Sequence, residues 1–353
     1  MKNKVVCSVI IPSFNAKKYL KACIASILKN NHPYYEIILV DNGSTDGSIS
    51  FIRKKFKSHP DKIKIVALDK NYGPATARNE GARIAKGKFL AFLDSDTQVH
   101  PDWINEGLKC FSKIPKVAAV QCKLLLISDK KKIDYVGEYL SNLGFLVPLA
   151  KYGEKDKGQY DSIRHILAAK SAGMFIRKKA FEKAGGFDDD YFIFVEETDL
   201  GWRTWLAGFE VVFCPASVVY HHFSASREIF DRKTNNRLVR FHGTKNYILT
   251  LFKNLSFVNL IKILPINVCL WIGLSAYLLL RGRFLSSANI AKGVVWNLVY
   301  LPFNLVKRIK IQRQRKLTDC RLFVDFGLMR KKSVSFFIKK FFISQKEVIT
   351  TER

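Results

Sequence analysis

Acidic residues are in short supply in this chain. Lys and Arg number 59 against 30 Asp and Glu, a formal net charge of +29 over 353 residues. The imbalance is steepest at the end, where residues 227–353 hold 25 Lys/Arg and 6 Asp/Glu. A basic segment of that kind suits a polyanionic partner, either nucleic acid or an anionic membrane surface. The seven cysteines are scattered, odd in number and without a C-x-x-C pair. That pattern argues against a disulfide framework or a zinc site and for a reducing compartment. No G-x-G-x-x-G follows the first strand-like run and no G-x-x-x-x-G-K-[ST] occurs, which removes the dinucleotide and P-loop readings. Met1-Lys2-Asn3-Lys4 leads straight into a strand-like run with no apolar h-region, so no secretory signal is expected.

The present features centre on Phe89-Leu90-Ala91-Phe92-Leu93-Asp94-Ser95-Asp96. Five apolar residues of strand character stop at two carboxylates one residue apart. A short, wholly apolar run reads as a strand buried on both faces. Carboxylates at its tip need partners, since an unpaired buried charge is costly. A divalent cation with oxygen ligands would serve, and so would the start of the helix expected near Pro101, which the pair could cap. In open α/β sheets ligands bind beyond the carboxyl ends of the strands, where this pair sits.

The chain around it alternates strand and helix. Val5–Pro12, Glu36–Val40, Ile63–Leu68 and Phe89–Leu93 read as strands; Ala16–Lys29, capped by Asn15, Ile49–Phe56 and Ala75–Ala85 read as helices. Short loops between them imply right-handed βαβ units and a largely parallel sheet. Polar groups collect at three strand ends, around Asn15, Asp41 and Asp94, a crevice suited to a nucleotide. Val117–Leu126 reads as a further strand, and Asp129–Ile163 as a loop-rich insertion suited to a lid or binding element. Ala168–Arg177 reads as a strand in which Gly173 permits close approach, and Lys178–Ala184 as a short helix closed by Gly185-Gly186. Glu196, Glu197 and Asp199 then open a helix, more acid than its dipole can use, so at least one is a candidate general base. Asp199 could equally pair with Arg203 along the helix. Glu210–Cys214 and Ser217–Tyr220 read as closing strands, ending at His221-His222, either of which could supply a third metal ligand.

With these residues in view, positions 5–224 resemble the nucleotide-sugar glycosyltransferases of family 2, which have the GT-A fold. The likeness is carried by S-V-I-I-P-S-F-N (8–15), V-D-N-G-S-T-D-G-S (40–48), N-Y-G-P-A-T-A-R-N-E-G (71–81), L-D-S-D (93–96), G-G-F-D (185–188) and E-E-T-D-L-G-W-R (196–203). Its V-D-N-G-S and D-L-x-W-R forms are most similar to the rhamnosyltransferase-like branch, which builds cell-surface polysaccharide. The resemblance implies that Pro12, Phe14, Asn15, Asp41 and Asn42 hold the base and ribose. Asn71, Gly73 and Arg78 would order the loop beside the diphosphate, with Asp94 and Ser95 at the donor. Asp94, Asp96 and His221 would bind Mn²⁺ or Mg²⁺, with His222 as the alternative histidine. It also implies inversion by single displacement, with Glu197 as base and Asp199 and Glu196 as rivals. Gly173, Trp202 and Arg203 would lie along the donor or acceptor loop. A family member usually has Glu-Asp where this chain has Glu196-Glu197.

The likeness stops near Phe223. Two hydrophobic segments follow, 257–280 and 288–306, with Arg281-Gly282-Arg283 between them and the basic run 307–316 beyond. They could span a bilayer as a hairpin or lie in its interface, or pack as a soluble helical subdomain. The expected organisation is an α/β GT-A catalytic domain at 1–226, a basic helical membrane-associating region at 227–320 and a basic tail at 321–353. The expected partners are a nucleotide-diphosphate sugar, a saccharide acceptor attached to lipid and the cytoplasmic face of the cell membrane, with no nucleic acid. Two rivals are a nucleotidyltransferase, which would want a Gly- and Lys-rich phosphate loop, and a nucleic-acid binder, which would want isolated stacking aromatics in place of long apolar runs.

Overall fold

A computed structural model describes residues 5–222 and 232–338. Met1 to Lys4, the expected end of the family likeness near Phe223 and the last part of the tail lie outside the described residues. Two compact units emerge, Met1–Glu138 with Pro148–Asp231 and Tyr139–Val147 with Arg232–Arg353. The expected boundary lay after 226, and the two units divide between Asp231 and Arg232. A nine-residue excursion from the insertion into the second unit, and the continuity of that unit past 320, had no sequence signal.

The first unit begins with β1 (Cys7–Ser13), α1 (Lys17–Leu28), β2 (Tyr35–Asp41), α2 (Ser48–Lys55), β3 (Ile63–Ala67), α3 (Gly73–Ile84) and β4 (Phe89–Phe92). It continues through β5 (Thr97–Val99), α4 (Trp103–Lys113), β6 (Val117–Leu126) and β7 (Asp129–Tyr135). Among the described residues the sheet runs β12, β6, β11, β4, β1, β2, β3 from one side to the other, where β11 is Met174–Arg177 and β12 is Glu210–His221. β1 pairs parallel with both β2 and β4, and β6 pairs parallel with β12. β11 enters antiparallel between β4 and β6. Every residue of β1, β2 and β6 is buried, which is why these strands read as continuous apolar runs.

Several local expectations need correction. Asn15 does not cap α1: its φ is +49° and its Oδ1 accepts the Thr45 N–H at 2.8 Å. Asp46 takes the helix start, its Oδ2 accepting the Lys17 N–H at 2.9 Å. Only Met174–Arg177 of the stretch Ala168–Arg177 is strand, preceded by a 3₁₀ turn at Ser171–Gly173. The insertion 129–163 is more regular than its composition suggests, contributing β7, β8 (Glu138–Ser141) and β9 (Leu146–Pro148). The two closing strands are one, β12, whose register with β6 shifts between Cys214 and Val218. Cys110 and Cys214 form a disulfide although the spacing gave no hint of one; Cys7, Cys23, Cys122, Cys269 and Cys320 remain free. That pair runs against the expectation of a chain without disulfides in a reducing compartment.

After β11 come α5 (Lys178–Ala184) and α6 (Glu196–Leu206); β10 (Arg164–His165) pairs with β12 at the sheet edge. The second unit holds α7 (Arg232–Arg237), α8 (Gly243–Asn254), α9 (Phe257–Leu280), α10 (Phe284–Val299), α11 (Leu301–Arg313), β13 (Met329–Arg330) and α12 (Val334–Ile338). β13, β8 and β9 form a small sheet. The expected second hydrophobic segment, 288–306, is not one helix: α10 ends at Val299 and α11 starts at Leu301, with Pro302 in its first turn. Among the described residues α9 is the one helix long and apolar enough to cross a membrane.

Candidate active site

The site lies at the carboxyl ends of β1, β2 and β4. Asp41 closes β2 and is buried, its Oδ2 accepting the Ser44 N–H at 3.0 Å. Asn42, also buried, donates from Nδ2 to Asn71 Oδ1 at 2.9 Å and accepts the Tyr72 N–H at 3.0 Å. Asn71 Oδ1 in turn accepts the Gly73 N–H at 2.9 Å, so the 71–73 loop is ordered by side chains from the β2 end. Gly73 sits at φ +85°, and a Cβ there would lie 2.7 Å from the ring and carbonyl oxygen of Phe192. Pro12 is buried at the end of β1, and Phe14 and Asn15 are half-buried just past it.

Beyond β4, the chain places Asp94, Ser95 and Asp96 before β5, all half-buried. β5 runs antiparallel to the end of β12, pairing Thr97 with His221, and the His222 N–H bonds the Asp96 carbonyl at 3.0 Å. This pairing carries His221 to the two acids. Ligand atoms of Asp94, Asp96 and His221 lie within 4.8 Å of one another. Two carboxylates and one imidazole form a donor set that suits Mn²⁺ or Mg²⁺, so the residues fit a divalent cation. His222 is not in this cluster; its ring packs against Tyr19 with centroids 5.1 Å apart.

His221 Nε2 is 3.5 Å from Asp96 Oδ1, while Nδ1 is 2.7 Å from Asp134 Oδ2. Burial pulls the imidazole pKa down, but hydrogen bonds to Asp134 and Asp96 and their charge outweigh it and push it up to about 10. Asp134 belongs to β7 in the insertion and had no sequence signal.

Arg78, buried on α3, donates from Nη2 to Asp94 Oδ1 at 2.9 Å and from Nη1 to Glu196 Oε1 at 2.8 Å. It was expected beside the diphosphate; the structure commits its guanidinium to two carboxylates. Glu196 is buried with it. Burial, then the charge of Glu197, push the Glu196 carboxyl up to about 8 against the pull of Arg78. A side chain so enclosed cannot meet an acceptor.

Asp199 is 0% exposed and forms an ion pair with Arg203, Nε to Oδ2 at 2.8 Å. That removes Asp199 as a base and Arg203 as a ligand contact; Arg203 also bonds the Ala184 carbonyl at the end of α5. Trp202 is likewise enclosed, and Gly173 packs where a Cβ would stand 2.6 Å from Leu124. Gly173, Trp202 and Arg203 are therefore core positions, and the expectation that they line the ligand loop is corrected.

Glu197 alone of the three acids is partly open to solvent. Its Oε1 accepts Ser171 Oγ–H at 2.7 Å and the Ser171 N–H at 3.3 Å, while Oε2 takes no hydrogen bond among the described residues. The helix carrying it starts after Phe192, Phe194 and Val195, all with φ between +60° and +69°. Such left-handed non-glycine residues cost on the order of 1–3 kcal/mol each and gather at functional loops. Ser171 and the buried Glu138, which accepts the Thr198 hydroxyl at 2.6 Å, were also missed; an isolated serine or glutamate has no sequence signature.

The model of "Glycosyl transferase family 2" matches residues 8–184, half of the chain. Among curated proteins, the putative teichuronic acid biosynthesis glycosyltransferase TuaG of Bacillus subtilis is 38% identical over 30% of this chain and 42% of its own length. Glycosyltransferase AglE of Haloferax volcanii is 28% identical over 58% of this chain and 63% of its own. The chain thus spans less than two thirds of these relatives. Among solved structures, the mannosyltransferase PcManGT of Pyrobaculum calidifontis, in complex with GDP-Man and Mn²⁺, superposes with a TM-score of 0.52 at 16% identity, over 87% of this chain and 85% of that one. Staphylococcus aureus TarS (residues 1–349) gives the same TM-score at 15% identity, over 88% and 89%. These likenesses share the GT-A fold. With a family model covering half its length and a sheet of this topology, the chain belongs to glycosyltransferase family 2.

Proposed function

We propose that this protein is an inverting, metal-dependent glycosyltransferase that moves a sugar from a nucleoside diphosphate donor to a hydroxyl of a lipid-linked saccharide, in the assembly of cell-surface polysaccharide. One observation carries the reading. The Arg78 guanidinium contacts both Asp94 of the acid cluster and Glu196, the neighbour of Glu197, tying the donor end of the crevice to the base. Glu197, oriented by Ser171, takes the proton of the acceptor hydroxyl as its oxygen bonds to the anomeric carbon and the bond to the diphosphate oxygen breaks. Asp41, Asn42 and Asn71 frame the nucleotide end, and Asp94, Asp96 and His221 would hold Mn²⁺ or Mg²⁺. When bound, that ion offsets charge on the departing diphosphate. TuaG, named for teichuronic acid biosynthesis, supports the polysaccharide assignment.

The second unit supports an anionic membrane as partner. From 232 to 318 the chain has no Asp or Glu. α9 buries Ile263, Asn267, Trp271, Leu274 and Leu278 and turns its other side out, with Phe257 71% and Leu280 87% exposed. The α10–α11 corner exposes Leu298, Val299, Leu301, Phe303 and Val306, and Lys310 and Arg313 follow one to two turns later. At about 1.5 Å per residue neither α10 nor α11 reaches the ~30 Å of a hydrocarbon core. Helices with an apolar outer side and a basic end favour lying in the interface of the cytoplasmic leaflet.

The test is thermal stabilisation by a panel of nucleoside diphosphates with and without Mn²⁺, for the full chain and for Asp96→Asn. Ligands that bind only the native state raise Tm. A metal-dependent shift with one base, lost in the variant, is expected; no shift with any nucleotide overturns the reading.

A further inference from the structure

The metal-site reading leaves one buried carboxylate unexplained. Asp134 sits in β7, in the insertion, yet its side chain is 6% exposed and points at the strand-end cluster. Its Oδ2 lies 2.7 Å from His221 Nδ1, across a sequence separation of 87. β6 lies between β7 and β12, and both partners shift register near its end. Those irregularities accompany the reach of Asp134 across β6 to a histidine two strands away. Asp129, at the other end of β7, is half-buried and tied to Lys132, as an ordinary surface acid is.

We infer that Asp134 is a positioning residue for the cation site: it holds the proton on His221 Nδ1 and so turns Nε2 toward Asp96 as a ligand atom. This rests on the divalent-cation reading above and deepens it. A cation on an imidazole takes the lone pair of one nitrogen, displacing any proton there, and the hydrogen bond at the other nitrogen decides which. Metal-bound histidines generally donate their second N–H to a carboxylate or carbonyl, and losing that partner costs about 10–100-fold in metal affinity. His221 has both halves of this arrangement, with Nε2 3.5 Å from Asp96 and Nδ1 on Asp134. The consequence for the fold is that the insertion is part of the metal site.

The experiment is a double-mutant cycle on the full chain. Mn²⁺ binding is followed by the electron paramagnetic resonance signal of the free ion, in wild type, Asp134→Ala, His221→Ala and the double variant, with Asp134→Asn as the conservative change. Asp134→Ala should weaken Mn²⁺ about 10–100-fold, Asp134→Asn less, since its amide oxygen can still accept the Nδ1 proton. In the His221→Ala background Asp134→Ala should do nothing further, because its effect passes through the ring. Nitrogen-15 spectra of the histidines should show the Nδ1 proton of His221 in the wild type and its redistribution in Asp134→Ala. An unchanged Mn²⁺ affinity, or losses that add in the double variant, overturns the inference while leaving the cation site standing. A wild type that binds no Mn²⁺ but keeps the Nδ1 signature instead overturns the cation reading, and the role assigned to Asp134 falls with it.

Discussion

The two units solve opposite problems. In the first, apolar side chains fill the interior and charge gathers at the strand ends, as with Val9, Ile10 and Ile11 in β1 against Asp41, Asp94 and Asp96. In the second, the interior is unusually polar: Thr244, Lys245, Asn246, Thr250, Lys253 and Asn254 of α8 are all buried. Its outside carries Phe257, Phe284, Phe303 and Val306. Arg308 and Gln312 of α11 reach the last carbonyls of α8, Nη1 to Leu255 at 2.7 Å and Nε2 to Lys253 at 2.8 Å. Asn267 and Asn297 likewise satisfy main-chain carbonyls of Leu143 and Lys245. Buried polar groups inside and apolar groups turned out mark that outside as an interaction surface, the one proposed above to meet an anionic membrane. The contrast puts the candidate catalytic groups in the first unit and the proposed membrane contact in the second.

That division can be broken in a definite order. Glu197→Gln should lower kcat by about 10²–10⁴-fold while nucleotide-dependent stabilisation and vesicle binding persist. Retention of near-normal turnover would hand the base to another group. Asp199→Ala should instead act on stability. It strands the buried Arg203 charge, costing about 3–5 kcal/mol, a fall in Tm on the order of 10 °C in a calorimetric scan. A variant of unaltered Tm that had lost turnover would restore Asp199 to the chemistry.

On the other unit, Phe303→Asp should weaken sedimentation with anionic vesicles about tenfold or more without moving Tm, because the ring is already exposed. Raising the salt concentration should weaken the wild type too. Equal binding by wild type and variant would mean that the α10–α11 corner is not the contact.

The smallest effect concerns pH. The folded Glu196 carboxyl, pushed up to about 8, keeps a proton that the unfolded chain releases near its ordinary value of 4.5. Between those values the native state binds more protons, so stability falls as pH rises. Glu196→Gln should flatten the Tm profile across that window; parallel profiles would show that Glu196 does not titrate there.

Much of the first unit is determined by sequence alone. Strand and helix periods are local, and apolar runs closing on Asp41 and on Asp94-Ser95-Asp96 mark buried strands whose ends face a crevice. The family motifs rest on the same local patterns. What tertiary structure decided is where side chains point. Glu196, Glu197 and Asp199 occupy one helix turn, and only the rotation of α6 against its neighbours buries two of them and leaves Glu197 partly open. Asp134 meets His221, and Cys110 meets Cys214, across 87 and 104 residues, distances at which no sequence period operates. The break between α10 and α11 falls just before Pro302, a local cue inside a segment that its hydropathy reads as one. Hydropathy reports how much apolar surface a segment carries; the neighbours it packs against decide which side is covered and which is left for another phase.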